Sequence, residues 1–418
     1  MSQVPSYARL TTLPPESGPA RACRDAARLR CSAAALRILF LTRYGRLGAS
    51  SRQRCYAYLN SLRAAGVEAH VRPFLGDDYV GRLNSGRAIS LATVFRAYTC
   101  RLFSLLQSHR YDLLWIEKEA LPWIPAWAEL GILRLTAGPI IIDYDDAIFH
   151  RYDQHSSGVV CRLLGRKIDR VMAAADLVTV GNGYLGLRAR EAGAREIAEI
   201  PTVVDLRHYT ERRANSVRDV GTFTLGWIGS PLTSVYLEWL RPALGELASR
   251  IPFRIILVGA SPTALAGLPV ERVAWSPATE AAQLARFDVG LMPLPDLPWE
   301  RGKCGYKLIQ YMASSLPVVA SPVGANREIV VPGETGFLAE TRADWVSALT
   351  RLAQDPALGC RMGTAGRRRA ERHYSLQAIV PEFIDLLANV AAPTSRQRRS
   401  PATGHYVRSR PATPQGRA

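Results

Sequence analysis

Along the chain, short apolar runs alternate with longer stretches in which apolar residues recur every three or four positions. LRILFLT (36–42) has the continuous apolar character of a buried strand, and the glycine-containing RYGRLGASS (43–51) after it reads as a loop. The spacing then predicts an amphipathic helix from about Ser51 to Ala65, closed by Gly66. Further strands are expected at VEAHV (67–71), DLLWIE (112–117), GPIIID (138–143) and DLVTVG (176–181). Helical stretches at about 87–109, 123–135, 158–174 and 183–192 separate them. Strands alternating with helices predict a mostly parallel sheet covered on both faces.

The series restarts after a polar connector (201–221). FTLGWIG (223–229), a helix at about 234–249, then FRIILVG (253–259), RVAW (272–275), DVGLMPL (288–294) and PVVAS (317–321) make a second unit of similar size. The expected fold is α/β, with two doubly wound, Rossmann-like domains facing a cleft and ligands at the C-terminal ends of the strands. The expected boundaries are a disordered N-terminal tail (1–35), an acceptor-side domain (36–210), a donor-side domain (211–374), a C-terminal helix packing back on the first domain (375–392), and a disordered basic tail (393–418).

Composition narrows the partners. A chain that is 48% hydrophobic and 21% charged is that of a soluble globular protein, and no apolar run reaches the roughly 18 residues of a membrane span. The N-terminus lacks the basic and apolar regions of a secretory signal. The seven cysteines form no CxxC pair, so neither a disulfide framework nor a zinc site is expected, and a cytoplasmic location fits reduced thiols. Of the net charge of +17, nine units sit in the two tails. That charge fits a solvated tail or attraction to an anionic membrane, which would place the protein at the inner membrane face. No nucleic-acid-binding motif accompanies it, so no nucleic-acid partner is expected.

Lysine is scarce: Lys118, Lys167, Lys303 and Lys307 stand against 49 arginines. Two of the four fall in RGKCGYKLIQYMASSLPVVASPVG (301–324). With 303–314 taken as helix, Lys303, Lys307, Gln310 and Ser314 share one stripe while Leu308, Ile309 and Met312 face the other way. Cations are disfavoured at a helix N-terminus. An anion held there by the ammonium groups and the backbone N–H groups of Cys304, Gly305 and Tyr306 removes the conflict; snorkelling surface lysines are the alternative.

The stretches FDVGLMPLPDLPWERGKCGYKLIQYMASSLPVVASPVGANREIV, GETGFLAE and DPALGCRMGTAGRRRAERHYS resemble the C-terminal domain of family 4 glycosyltransferases. GASSRQRCYAYLNSLRAAGVE, IIIDYDDAIF, GNGYL and IPTVVD resemble the N-terminal half of a branch of that family, so the resemblance covers roughly 36–390. It implies a GT-B fold and transfer of a sugar from a nucleoside diphosphate donor to a glycan, lipid-linked or small-molecule acceptor. Retention of anomeric configuration, no metal or other cofactor, and a role in cell-envelope or exopolysaccharide synthesis go with it. Many members carry two glutamates separated by seven residues; here Gln310 stands at the second position and Gly302 at the first. Gln310 can still bond a ribose, while Glu300, Arg301 or Lys303 would have to meet the sugar. After FTLGWIG, where many members place Arg and Lys, this chain has GSPLTS, with Gly229, Ser230 and Thr233 offering amides and hydroxyls. The diphosphate charge would then fall to Lys303 and Lys307.

In the first domain, Gly45 and Gly48 permit close backbone approach to the donor or make a plain turn. DYDD (143–146) reads as a metal-binding DxD, a phosphatase nucleophile, loop-stabilising carboxylates, or sugar and acceptor contacts from Asp143 and Asp145, with the resemblance favouring the last and a catalytic place for Asp145. Asn182 is a helix cap or a cleft contact, and Glu328 a sugar ligand or a cap. The tryptophan-bearing LLWIEKEALPWIPAWAELGIL (113–133) is a core helix or a lipid-facing one. A nucleotide-sugar epimerase, a glycan phosphorylase or a non-catalytic nucleotide-sugar-binding scaffold are the rival readings on the same fold.

Overall fold

The computed structural model describes residues 35–84, 87–136, 138–209, 222–392 and 405–407. Two parallel sheets organise it. The first contains β1 (Arg37–Leu41), β2 (Glu68–Val71), β3 (Leu113–Glu117), β4 (Ile140–Tyr144), β5 (Leu177–Val180) and β6 (Glu196–Glu199). The second contains β7 (Phe223–Ile228), β8 (Phe253–Val258), β9 (Val270–Val273), β10 (Val289–Met292), β11 (Val318–Ala320) and β12 (Gly336–Leu338). β13 (His405–Val407) adds to the outer edge of the first sheet, giving the orders β13-β6-β5-β4-β3-β1-β2 and β12-β11-β10-β7-β8-β9. The segment expected to be a disordered tail therefore contributes an edge strand; the rest of both tails lies outside the described residues.

The central strands of both sheets are near-continuously apolar because helices cover both faces. On one face of the first sheet, Leu39, Ile116, Ile142 and Val178 pack with Leu105, Leu133, Ile168 and Leu185. On the other, Ile38, Phe40, Trp115 and Ile141 meet Tyr58 and Leu62 together with Leu376, Ile379, Phe383 and Leu387 of the helix Leu376–Ala391. That last helix belongs to the first domain although it follows the second in sequence. The two chain crossings between domains are bonded together: Val204 donates to the Tyr374 carbonyl (2.9 Å), and Leu376 donates to that of Val204 (2.8 Å).

Several elements depart from the helical periodicity. The stretch 51–65 breaks at Cys55 (φ −129°, ψ −64°) into Ala49–Arg54, a 3₁₀ turn Tyr56–Tyr58 and Leu59–Ala64. The stretch 234–249 begins as a 3₁₀ helix, Pro231–Leu240, and becomes α-helical at Arg241–Ala248.

In the second sheet Gly226 of β7 lies opposite Gly290 of β10. A Cβ at Gly226 would stand 1.9 Å from the Phe287 ring, and one at Gly290 would stand 2.3 Å from that of Tyr311. The missing side chains let the helix Tyr306–Ala313 lie close on the sheet, and Tyr311 Oη accepts from the Ile228 amide at 3.1 Å. That contact ties the helix to the end of β7.

Candidate functional site

Chain order in the second sheet reverses between β7 and β10, and such a switch point opens a crevice at the strands' C-terminal ends. The loop from Gly229 and the loop leading to Gly305 frame it. The helix begins at Tyr306, not at 303, with Gly305 as N-cap at φ 63°, where a Cβ would meet Ile329 Cδ1 at 2.2 Å. Lys303 and Cys304 thus precede the helix, and the continuous stripe expected from 303–314 does not form: the left-handed turn at Gly305 interrupts it.

The two lysines nevertheless converge. Lys307, in the first turn, places Nζ 4.8 Å from the ring centre of Trp227 on β7, and Lys303 places Nζ 5.8 Å from that of Tyr236. Gly229 makes the room, since a Cβ there would stand 2.8 Å from Lys307 Cε. The other two lysines are paired. Lys118 Nζ lies 2.9 Å from Asp145 and 3.1 Å from Asp146; Lys167 Nζ lies 2.7 Å from Glu119 and 3.0 Å from Glu129. No carboxylate among the described residues pairs with Lys303 or Lys307. Burial, and then the neighbouring Lys303, lower the Lys307 pKa to about 7. Two unpaired ammonium groups, a helix N-terminus and ring faces of low polarity make a site that an anion would complete.

The remaining donor-side candidates divide. Ser230 caps the 3₁₀ helix with Thr233, its amide donating to Thr233 Oγ1 at 3.2 Å; Ser230 is exposed and Thr233 half-buried. Gln310 is buried and its amide donates to Glu280 (2.6 Å) and Tyr209 (3.2 Å), so its nitrogen is committed within the domain. Glu280 also accepts from Trp275 Nε1 at 2.7 Å. Glu300 is buried and accepts the Tyr236 hydroxyl, and Arg301 turns outward to Asp296 at 2.6 Å. The helix Pro298–Arg301 directs one inward and the other to the surface.

In the first domain, Gly45 and Gly48 answer contacts of that domain. A Cβ at Gly45 would meet the Asp77 carboxylate (2.3 Å), and one at Gly48 would meet Tyr44 (2.4 Å). Asp143, expected to face a sugar, is buried in a two-pronged bond to Arg54 (2.9 Å to Nε) and accepts Thr179 Oγ1 at 2.6 Å. Asp145 stays at the cleft, its pKa held down against desolvation by Lys118 and by Ser50. Lys118 itself has left-handed backbone geometry, φ 67°, at the end of β3. That conformation costs on the order of 1–3 kcal/mol in a non-glycine residue and is retained where the fold over-determines it. Its flanking carboxylates anchor it: Glu117 accepts from the Arg43 amide (2.9 Å) and Ser51 (2.6 Å), and Glu119 from Arg43 Nη1 (3.0 Å).

The two domains meet through these loops. Asn182 caps a helix and also reaches across the domain seam: its Oδ1 accepts from the Leu185 amide at 3.0 Å, and its Nδ2 donates to the Lys303 carbonyl at 3.0 Å. The Cys304 thiol donates to the Asp145 carbonyl at 3.1 Å, and Gln53 donates to the Tyr306 hydroxyl at 2.6 Å. Exposed Glu328, on the short helix Asn326–Ile329, lies 3.4 Å from where a Cβ at Gly183 would stand, at the domain seam. Reading the sequence missed Trp227, Tyr236, Glu280 and Lys118. Only Lys118 carried a signal, the same scarcity of lysine that marked Lys303 and Lys307.

Residues 222–355 match the family described as "Glycosyl transferases group 1". A stretch of 92 residues is 35% identical to alpha-maltose-1-phosphate synthase of Mycobacterium tuberculosis, covering 20% of this chain and 24% of that protein. Another of 69 residues is 41% identical to D-inositol 3-phosphate glycosyltransferase of Streptomyces avermitilis, covering 16% of this chain and 15% of that protein. The chain thus spans about a quarter or less of the curated relatives it matches. Among solved structures, sucrose-phosphate synthase from Thermosynechococcus elongatus superposes with a TM-score of 0.63 at 18% identity, over 85% of this chain and 99% of that one. The Anabaena protein HepE in complex with UDP and glucose gives 0.60 at 17% identity, over 85% and 100%. The fold is two parallel-sheet, Rossmann-like domains of the GT-B kind.

Proposed function

We propose that the protein is a glycosyltransferase of family 4 type, moving a sugar from a nucleoside diphosphate donor to a glycan, lipid-linked or small-molecule acceptor. The observation that carries this reading is the pair Lys303 and Lys307, unpaired with any described carboxylate, at the switch point of the second sheet. The match of residues 222–355 and the UDP-bound neighbour add support. In the reaction the bond from the anomeric carbon to the diphosphate oxygen breaks, and the diphosphate leaves with the electron pair. The acceptor oxygen bonds the same carbon, and its proton passes to the departing diphosphate. Charge grows on the leaving oxygen, so ammonium groups fixed beside it favour the transition state over the ground state. The acceptor hydroxyl approaches from the first domain, where Asp145, kept ionised by Lys118, can accept a hydrogen bond from it.

We assign the reaction to retention of configuration and to metal independence. All the DYDD carboxylates are occupied by Arg54 or Lys118 rather than arranged around a cation site. Cell-envelope or exopolysaccharide synthesis is the setting that fits such an acceptor. Thermal unfolding in the presence of UDP, GDP or ADP tests the donor site, since a ligand at a hundred times its Kd adds roughly 2.7 kcal/mol. Incubating the stabilising nucleotide's sugars with and without acceptor then separates transfer from epimerisation. Nucleotide binding with no turnover would instead leave a nucleotide-sugar-binding scaffold.

A further inference from the structure

The helix Leu91–Leu106, between β2 and β3, buries one side and carries an apolar stripe on the other. Its inner side buries Ala97, Arg101 and Leu105. Its outer side exposes Leu91 (87%), Phe95 (75%), Leu102 (38%), Phe103 (61%) and Leu106 (64%). At about 100° per residue those five side chains fall within an arc of about 120°. An apolar stripe of that width ordinarily turns to a core or a lipid phase, and here it faces outward. The neighbouring helix Ala126–Leu133 packs into the same buried cluster through Leu133 and exposes Trp127.

Charge decides what covers the stripe. Between residues 79 and 111 the chain has five arginines and no Asp or Glu. Arg87, Arg96 and Arg110 are exposed and make no ion pair with a described carboxylate. A protein partner with a complementary patch would need acidic groups around an apolar centre, whereas a bilayer of anionic lipids offers an apolar interior under a continuous negative surface. No helix among the described residues is long and apolar enough to cross a membrane, so the contact would be one of lying in the interface. We infer that the helix Leu91–Leu106 docks the first domain on an anionic lipid surface, its five apolar side chains below the headgroups and Arg87 and Arg96 among them. The inference goes beyond glycosyl transfer and does not depend on it, because its readout is binding alone.

The test is co-sedimentation of the full chain with phosphatidylcholine vesicles and with vesicles containing phosphatidylglycerol. Wild-type protein should pellet with the anionic vesicles and less as salt rises. Phe95→Ser with Phe103→Ser, and separately Arg87→Glu with Arg96→Glu, should each lower that binding by about tenfold or more while leaving the thermal midpoint in place, since all four residues are exposed. Equal pelleting of wild type and both variants would overturn the inference and assign the attraction to the basic tails. Equal binding to both vesicle types would overturn the anionic requirement. Concentration-dependent dimerisation of the wild type, lost in the phenylalanine variant, would overturn it in favour of a second copy over the stripe.

Discussion

The side-chain amide of Asn182 joins the two domains at Lys303: one end caps the helix Gly183–Glu191 and the other holds the Lys303 carbonyl at 3.0 Å. The position of a cation in one domain is therefore set from the other. Asn182→Asp separates the two tasks, since aspartate caps as well as asparagine but cannot donate. Its thermal midpoint should stay close to wild type while turnover falls up to about tenfold, the loss of one hydrogen bond. Asn182→Ala should lose the turnover and also about 1 kcal/mol of stability. Equal activity of wild type and Asn182→Asp would show that the bond does not position Lys303.

Lys303→Ala should slow turnover roughly a hundredfold, about 3 kcal/mol of barrier by analogy with removing one oxyanion donor. Lys307→Ala should act mainly on donor affinity. Neither variant should unfold more easily without ligand, because each removes a cation that has no carboxylate partner. A large fall in the apo thermal midpoint would mean that the lysines hold the fold together.

The lowered pKa of Lys307 makes donor binding proton-linked. Below about pH 7 the ammonium is already charged in the free protein, so the affinity should be flat in that residue. Above it the free protein gives up the proton while a bound diphosphate retains it, so nucleoside diphosphate affinity should fall as pH rises, by up to about tenfold per unit. For apo stability the sign is opposite. The unfolded chain binds the proton more tightly, so stability should rise from about pH 7 toward the ordinary lysine range. Calorimetric titration across pH 6–9, with Lys307→Ala as the flat control, would check both signs.

Turnover should survive EDTA. Asp143 is bound to Arg54, and Asp145 and Asp146 to Lys118, so a cation would first have to displace buried ion pairs. Activity abolished by chelation and restored by Mg²⁺ or Mn²⁺ would reverse this assignment.

Hydrophobic pattern made most of this architecture legible, because a parallel strand covered on both faces must be apolar throughout, as ILFL of β1 and IILV of β8 are. β6 and β12 escaped it: β6 is EIAE, with glutamates at both ends, and β12 has only three residues. At the site, residue type pointed to Lys303 and Lys307 but could not supply the left-handed turn at Gly305 that breaks the helix before Lys303. The pairing of Asp143 with Arg54 was hidden because those partners are 89 residues apart. Trp227 and Tyr236 read as core and helix residues, and only the fold shows them beneath the two ammonium groups.

The helix Leu376–Ala391 has a consequence for how the chain is made. Its Leu376, Ile379, Phe383 and Leu387 fill a groove over Phe40, Tyr58 and Trp115, so the second domain is in effect an insertion within the first. A ribosome releases the N-terminal sheet with that groove open, and it stays open until the whole second domain and then this helix have emerged. The second domain, continuous in sequence, can close its own core before then. On the ribosome the later domain is therefore the one that can finish first, and the earlier one waits with an uncovered apolar face that a chaperone would have reason to hold.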